Sequence, residues 1–370
     1  MVIEKLSPKW ENNKTAICVS SSNEYAKYLS VYLESIKYHS NTKKYYDIVI
    51  FERNISDRNK NLIINAISAK NISVRFFNPS QILSQLQMYV THSYFKEECY
   101  YRICAPAVLK EYSKVIFTDI DIILQDDILK LADINMQNMP IAACIEPLWH
   151  DIYSQDRTIE GYRIREYAES VLALSRPEDE YFNTGVVVFD VKEFNSLNSF
   201  ERLSELINTN RFLYQEQCAL NKFFCGQFIK LSPIWNYEVA SYLSCFDKYK
   251  EYEVDAKILH FLGRVKPWSN PRTYLAEKWW SYARHTPFYE EIIIQYIASE
   301  TNAQQYTNIY LSYILSNLTR YKIKKNVYRV LKLVTWGKPQ QRFTQKHRKT
   351  KELIKAATML KRNLSKSISV

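Results

Sequence analysis

Between Thr15 and Thr118, short apolar runs alternate with segments of helical spacing, and this alternation restricts the fold more than any other feature of the chain. Thr15–Ser20 (TAICVS) predicts a strand, with Ser21-Ser22-Asn23 as turn and helix N-cap. Tyr25 to Tyr38 then places Leu29, Leu33 and Ile36 on one helical face. Tyr46–Phe51 predicts a second strand, Asp57–Ala69 a capped helix, and Ser73–Phe77 a third strand. A helix follows from Pro79. Another, over Glu97–Glu111, carries Pro106, which predicts a kink. The pattern implies an α/β fold, a mostly parallel sheet with helices on both faces. In such sheets ligands sit beyond the carboxyl ends of the strands.

The fourth strand leads into the most informative stretch, Lys114–Leu131 (KVIFTDIDIILQDDILKL). Val115-Ile116-Phe117 reads as a buried strand that breaks at Asp119-Ile120-Asp121. In extended chain, residues two apart share a face, so Asp119 and Asp121 point together while Ile120 anchors the other side. Adjacent carboxylates repel unless a positive charge lies between them. A divalent, oxygen-preferring ion such as Mg²⁺ or Mn²⁺ suits the pair; two solvated aspartates in a turn suit the tripeptide alone equally well.

Several classes are excluded. The five glycines (Gly161, Gly185, Gly226, Gly263, Gly337) are too scattered for a G-x-G-x-x-G or P-loop, so any phosphate must be held by a metal, basic side chains and isolated amides. The seven cysteines are odd in number and lack a C-x-x-C, which predicts neither zinc nor disulfides and a reducing, cytoplasmic location. No apolar run reaches membrane-spanning length, and the amino terminus has no signal-peptide core. Further on, Pro140–Cys144 predicts a strand. Residues 146–180, weakly patterned and aromatic, predict an active-site lid or acceptor surface. Gly185–Phe189 returns to the sheet, and Trp279 to about Leu318 predicts helix.

Four further stretches complete the pattern: Tyr100-Tyr101-Arg102 to Pro106, Tyr181-Phe182-Asn183-Thr184-Gly185, Tyr214-Gln215-Glu216-Gln217, and His260-Phe-Leu-Gly263-Arg-Val-Lys266-Pro267-Trp268. The ordered set, strand–D-x-D–strand, F-N-[AST]-G, a D/E-Q pair and H-x-x-G-x-x-K-P-W, resembles glycosyltransferase family 8, over roughly residues 14–290. That family comprises retaining nucleotide-sugar hexosyltransferases, among them bacterial lipopolysaccharide galactosyl- and glucosyltransferases and glycogenin. The resemblance implies a GT-A-like transferase domain over residues 1–290. It implies a UDP-sugar donor, a galactose or glucose transferred to a surface glycan or glycolipid, and an α-linkage. Asp119, Asp121 and His260 would be metal ligands, and the imidazole nitrogen among carboxylates favours Mn²⁺ over Mg²⁺. Ser20, Ser22, Tyr25, Asp119, Ile120, Asp121, Gly263 and Lys266 would line the nucleotide-sugar site. Arg102, Asn183, Glu216 and Gln217 would serve the reacting sugar.

Gln217 stands where a nucleophile has been considered, but an amide is a poor one, and attack from the leaving-group side is favoured. The first strand departs from the family pattern: Ser20-Ser21-Ser22 replaces the acidic residues that contact uracil, though Tyr25 can still stack on a base. The other functions compatible with the sequence are a catalytically silent, membrane-tethered sugar-nucleotide binder and a self-glycosylating, glycogenin-like initiator.

The net charge of +11 is concentrated at one end. Residues 320–370 hold sixteen Lys and Arg against one acid, Glu352, which is +15 and leaves 11 − 15 = −4 for the rest. Residues 291–370 thus form a helical, basic appendage carrying Val327, Val330, Leu331, Leu333, Val334 and Trp336, then Leu353, Ile354, Met359 and Leu360. This composition predicts peripheral binding to the anionic inner face of the plasma membrane. Nucleic acid, which also needs only positive charge, is the competing partner and has no binding motif here.

Overall fold

A seven-stranded sheet forms because successive strand residues bury alternate faces. In β1 (Thr15–Ser22), Ala16 and Cys18 enter one core while Ile17 and Val19 enter the other. β4 (Lys114–Thr118) does the same with Val115 and Phe117 against Ile116. The structure is a computed structural model that describes residues 6–84, 86–87, 97–159, 161–174, 180–239, 249–299, 318–334 and 336–367.

With β2 (Tyr46–Arg53), β3 (Ile72–Phe77), β6 (Ile141–Ile145), β7 (Phe182–Asp190) and β8 (Phe228–Lys230), the sheet order is β8-β6-β7-β4-β1-β2-β3, and β5 (Ile122–Leu124) lies outside it. All pairings are parallel except those of β7, which runs against both β4 and β6. The beginning of β7 therefore lies at the edge where β1, β4 and β6 end. A small second sheet joins β9 (Tyr237–Glu238), β10 (Ile258–His260) and β5, with β10 antiparallel to β5.

Helix α1 (Ala26–Tyr38) buries Leu29, Leu33 and Ile36 as the spacing predicts, and α2 (Asp57–Ile67) is capped by the Ser56 hydroxyl. The expected long helix around Pro106 is a short 3₁₀ turn leading into α3 (Tyr101–Val108), which ends two residues after the proline. The expected helix from Pro79 is a single turn, Ser80–Leu83.

Three expectations need correction. Ser21 and Ser22 continue β1 instead of turning, because they pair with Glu52 and Arg53 of β2. The Asn23 side chain serves α2 instead, accepting from the Ser56 amide at 2.9 Å. Asn183 and Thr184 lie inside β7, which begins at Phe182 and not at Gly185. Finally, residues 160 and 175–179 of the stretch 146–180, expected as a lid or acceptor surface, lie outside the described residues, and the others contribute to the core. They contain α4 (Pro147–Ser154), and Trp149 stacks on Tyr181 at 3.9 Å inside the core with Ile164, Tyr167 and Leu172. Apolar side chains spaced irregularly carry no periodic signal, yet they bury well.

The chain divides into two units, residues 1–292 and 293–370. The first ends beyond α5 (Gln215–Phe223) and α6 (Ala276–Ala283). The second contains α7 (Leu318–Val334) and α8 (Lys338–Ser367). The helix expected from Trp279 to about Leu318 is broken, since α6 ends at Ala283 and helix resumes only at residue 289; residues 300–317 of that expectation, like Cys245, lie outside the described residues. Among the described residues the other six cysteines form no disulfide. Among the described residues no helix is long and apolar enough to cross a membrane.

Candidate active site

The D-x-D tripeptide is pinned from both sides at the end of β4. The Asp119 amide donates to the Gly185 carbonyl at 2.9 Å, and the Asp121 carbonyl accepts from the Phe261 amide at 2.9 Å. Ile120 packs half-buried against the core, as the alternation predicts. Antiparallel pairing of β5 with β10 sets Ile122 opposite His260 and so brings an imidazole from 139 residues downstream (260 − 121) beside the carboxylates. Asp119, Asp121 and His260 offer ligand atoms that lie within 4.8 Å of one another.

His260 is oriented by a chain of buried amides that begins at a backbone N–H, whose direction is not in doubt. The Gly185 amide donates to Asn183 Oδ1 at 2.6 Å, so that atom is the acceptor. Asn236 Nδ2 donates to the same oxygen at 2.9 Å, which turns Asn236 Oδ1 toward His260 Nδ1 at 3.0 Å. Nδ1 must therefore carry the proton. Among the described residues Nε2 is left buried without a hydrogen-bond partner, 3.3 Å from Asp121 Oδ1 and 3.9 Å from Asp119 Oδ2. A buried, oriented nitrogen facing two carboxylates is how a cation ligand is held. Asn183 Nδ2 completes the chain at Glu146 Oε2 (2.6 Å), whose other oxygen caps α4.

Arg102, buried on α3, links the Asp119 and Glu216 carboxylates. Its Nη2 donates to Asp119 Oδ1 at 2.5 Å, its Nε lies 3.3 Å from Glu216 Oε1, and its Nη1 donates to the Thr184 carbonyl. Burial opposes its charge, but Asp119 and Glu216 outweigh burial and keep it ionised. Glu216 is in the opposite balance: burial pushes its carboxyl up to about 7 although Arg102 pulls it down. Gln217 Oε1 accepts from both the amide (3.0 Å) and the hydroxyl (3.1 Å) of Thr184, and its Nε2 donates to Tyr181 Oη at 3.2 Å.

Across the carboxylates from Arg102, Lys266 donates to Asp121 Oδ2 and, at 2.7 Å, to the Phe261 carbonyl. Burial alone would raise the Asp121 pKa, but the Lys266 ammonium holds the carboxyl well below the usual range. Gly263 adopts φ +87°, a conformation that favours glycine, and lets the chain turn back after β10. Trp268 anchors the end of that loop by stacking on Tyr28 at 4.2 Å. Tyr25 is half-buried, its hydroxyl pKa raised by burial and by the Glu24 and Asp121 carboxylates. Ser20 and Ser22 stand half-buried at the end of β1.

Asp119, Asp121, His260, Lys266, Arg102, Asn183, Glu216, Gln217 and Tyr25 thus converge on one edge of the sheet. Sequence reasoning missed Glu146, Thr184 and Asn236. Glu146 follows a predicted strand at its carboxyl end, a signal already used for β1 and β4. Asn236 has no spacing relation to His260; only β9–β10 pairing brings them together.

Residues 16–271 match the sequence profile described as Glycosyl transferase family 8. The chain is 24% identical over 285 residues to general stress protein A of Bacillus subtilis, covering 72% of this chain and 92% of that protein. It is 25% identical over 194 residues to lipopolysaccharide 1,2-glucosyltransferase of Escherichia coli, covering 50% of this chain and little more than half, 53%, of that protein. Among solved structures, the bifunctional glycosyltransferase WbbM aligns with TM-score 0.72 and 24% identity over 79% of this chain and 53% of its own. The galactosyltransferase LgtC, in complex with donor and acceptor sugar analogues, aligns with TM-score 0.59 and 20% identity over 74% of this chain and 96% of its own. Both share the GT-A-type fold seen here.

Proposed function

The chain belongs to glycosyl transferase family 8 and is a transferase, and on that premise we propose that it moves galactose or glucose from a UDP-sugar to a cell-surface glycan acceptor, with retention of configuration. The observation that carries the reading is His260 Nε2, buried without a hydrogen-bond partner among the described residues and facing Asp119 and Asp121. Two carboxylates and one imidazole nitrogen fit a divalent ion, Mn²⁺ better than Mg²⁺. Held there, the ion would supply Lewis-acid stabilisation to the departing diphosphate.

The remaining roles belong to the chain. Lys266, now against Asp121, offers its ammonium to the donor phosphates, and Gly263 allows a close backbone approach. Tyr25 offers an aromatic face to the base, with the Ser20 and Ser22 hydroxyls for its polar edge. Arg102, on the Thr184 carbonyl, and Asn183, on the Gly185 amide, brace the start of β7, which would meet the sugar. Both lone pairs of Gln217 Oε1 are engaged by Thr184, which supports front-face attack over a glutamine nucleophile. In that route the acceptor oxygen bonds to the anomeric carbon on the side the diphosphate leaves, and its proton passes to the leaving phosphate oxygen. The names of two similar proteins, a lipopolysaccharide glucosyltransferase and a galactosyltransferase, support a hexose and a surface glycan.

The test is UDP release from a panel of UDP-sugars with Mn²⁺, Mg²⁺ or chelator, comparing the parent with Asp121→Asn. Release from one sugar, dependent on metal and abolished in the variant, is the expected result. No release, together with no calorimetric UDP binding, overturns the proposal.

A further inference from the structure

In the carboxyl-terminal unit, α7 packs on α8 through one face and turns an apolar face away from it. Tyr328 stacks on Phe343 at 6.3 Å, and Lys346 Nζ lies 5.7 Å over the same Tyr328 ring. Lys325, Leu331 and Lys332 are part-buried beside Tyr328 on that side. Ile323, Val327, Val330 and Val334 follow at i, i+4, i+7 and i+11, a spacing that sets them in one stripe on the opposite side. Their exposures are 59%, 48%, 57% and 63%, and Trp336, just past the helix, is 85% exposed. A water-facing helix carries the reverse pattern, so this stripe calls for an occupant.

Charge identifies the occupant. Lys322, Lys324 and Arg329 are exposed around the stripe, within a segment carrying sixteen cations and one acid. A second copy would set +15 against +15, and nucleic acid would leave the valines in water. We infer that the outer face of α7 docks on an anionic bilayer: the stripe enters the headgroup–acyl boundary, the lysines and arginines meet lipid phosphates, and Trp336 sits at the interface. This goes beyond the transferase reading and does not rest on the donor or the metal.

The test uses the full chain and co-sedimentation with vesicles of neutral phosphatidylcholine or of a mixture with about one-third phosphatidylglycerol. Parent protein should bind the mixed vesicles and leave the neutral ones, with Trp336 emission shifting to the blue and the shift absent in Trp336→Phe. Val327→Gln/Val330→Gln keeps every charge and changes only solvent-facing positions; circular dichroism should match the parent, while binding falls about tenfold. Equal binding to neutral vesicles overturns the inference. So does undiminished binding of the double variant, or a dimer in light scattering that the double variant dissociates. UDP release in solution should be the same in parent and variant, so failure here is separable from failure of the transferase reading.

Discussion

Gly185 of β7 leaves the room that His260 occupies: a Cβ at position 185 would stand 2.7 Å from the imidazole Nδ1 and 2.8 Å from Asn183 Oδ1. The glycine is required for space rather than for an unusual backbone angle. The close approach lets the strand that supplies Asn183 and the strand that supplies His260 share one hydrogen-bonded chain.

Gly185→Ala should therefore displace the imidazole, which is confined by Asn236 and the two aspartates. Overpacking of this kind costs about 1–3 kcal/mol. Thermal unfolding should show the loss, and Mn²⁺ titration should show weaker binding than in the parent. An unchanged metal affinity would mean that the glycine serves packing alone.

Asn236→Ala should remove the acceptor that holds the Nδ1 proton of His260. Loss of such an outer partner lowers metal affinity or activity by about 10–100-fold. Calorimetric Mn²⁺ binding and UDP release should fall together, with little change in KM for the donor at saturating metal. A fall in stability with full metal affinity would count against the positioning role.

Arg102 and Glu216 should behave as a buried pair. Arg102→Met leaves both Asp119 and Glu216 without their cation and should cost about 3–5 kcal/mol, whereas Arg102→Met/Glu216→Gln should regain part of the stability and none of the turnover. Denaturant unfolding and UDP release separate the two effects.

The Glu216 carboxyl also predicts a pH dependence. Burial raises its pKa to about 7 in the folded protein, above the ordinary carboxylate value, so the folded state binds the extra proton. Its contribution is fully present below the unfolded pKa and is lost as pH rises towards 7. In chelator, the stability gained by Glu216→Gln over the parent should grow between about pH 4.5 and pH 7 and level off above. A difference that stays flat across that window would contradict the raised pKa.

Gln217→Ala should lower turnover through loss of the Thr184 contacts yet leave a product of unchanged anomeric configuration by NMR. A covalent glycosyl adduct at Gln217 in the parent, trapped and seen by mass spectrometry, would instead support a double displacement.

Much of this site could be read before any coordinates. The strand alternation placed β1 to β4, and the D-x-D at the end of β4 followed from period-two geometry acting on Asp119 and Asp121. The family resemblance supplied Arg102, Asn183, Glu216, Gln217, His260 and Lys266. Other features were hidden. Trp149 and Tyr167 looked like surface because irregular apolar spacing has no period, and Ser21 and Ser22 looked like a turn because their partners lie in β2.

The sequence by itself determined what is local: which runs are strands, which carboxylates share a face, and where the charge concentrates. Only the tertiary structure decided the register of β5 against β10, the reversal of β7, and the amide chain from Gly185 to His260. Those depend on pairings between residues far apart along the chain. Cross-strand hydrogen bonds and close approach are set by distance in space, and spacing along the sequence does not encode that distance.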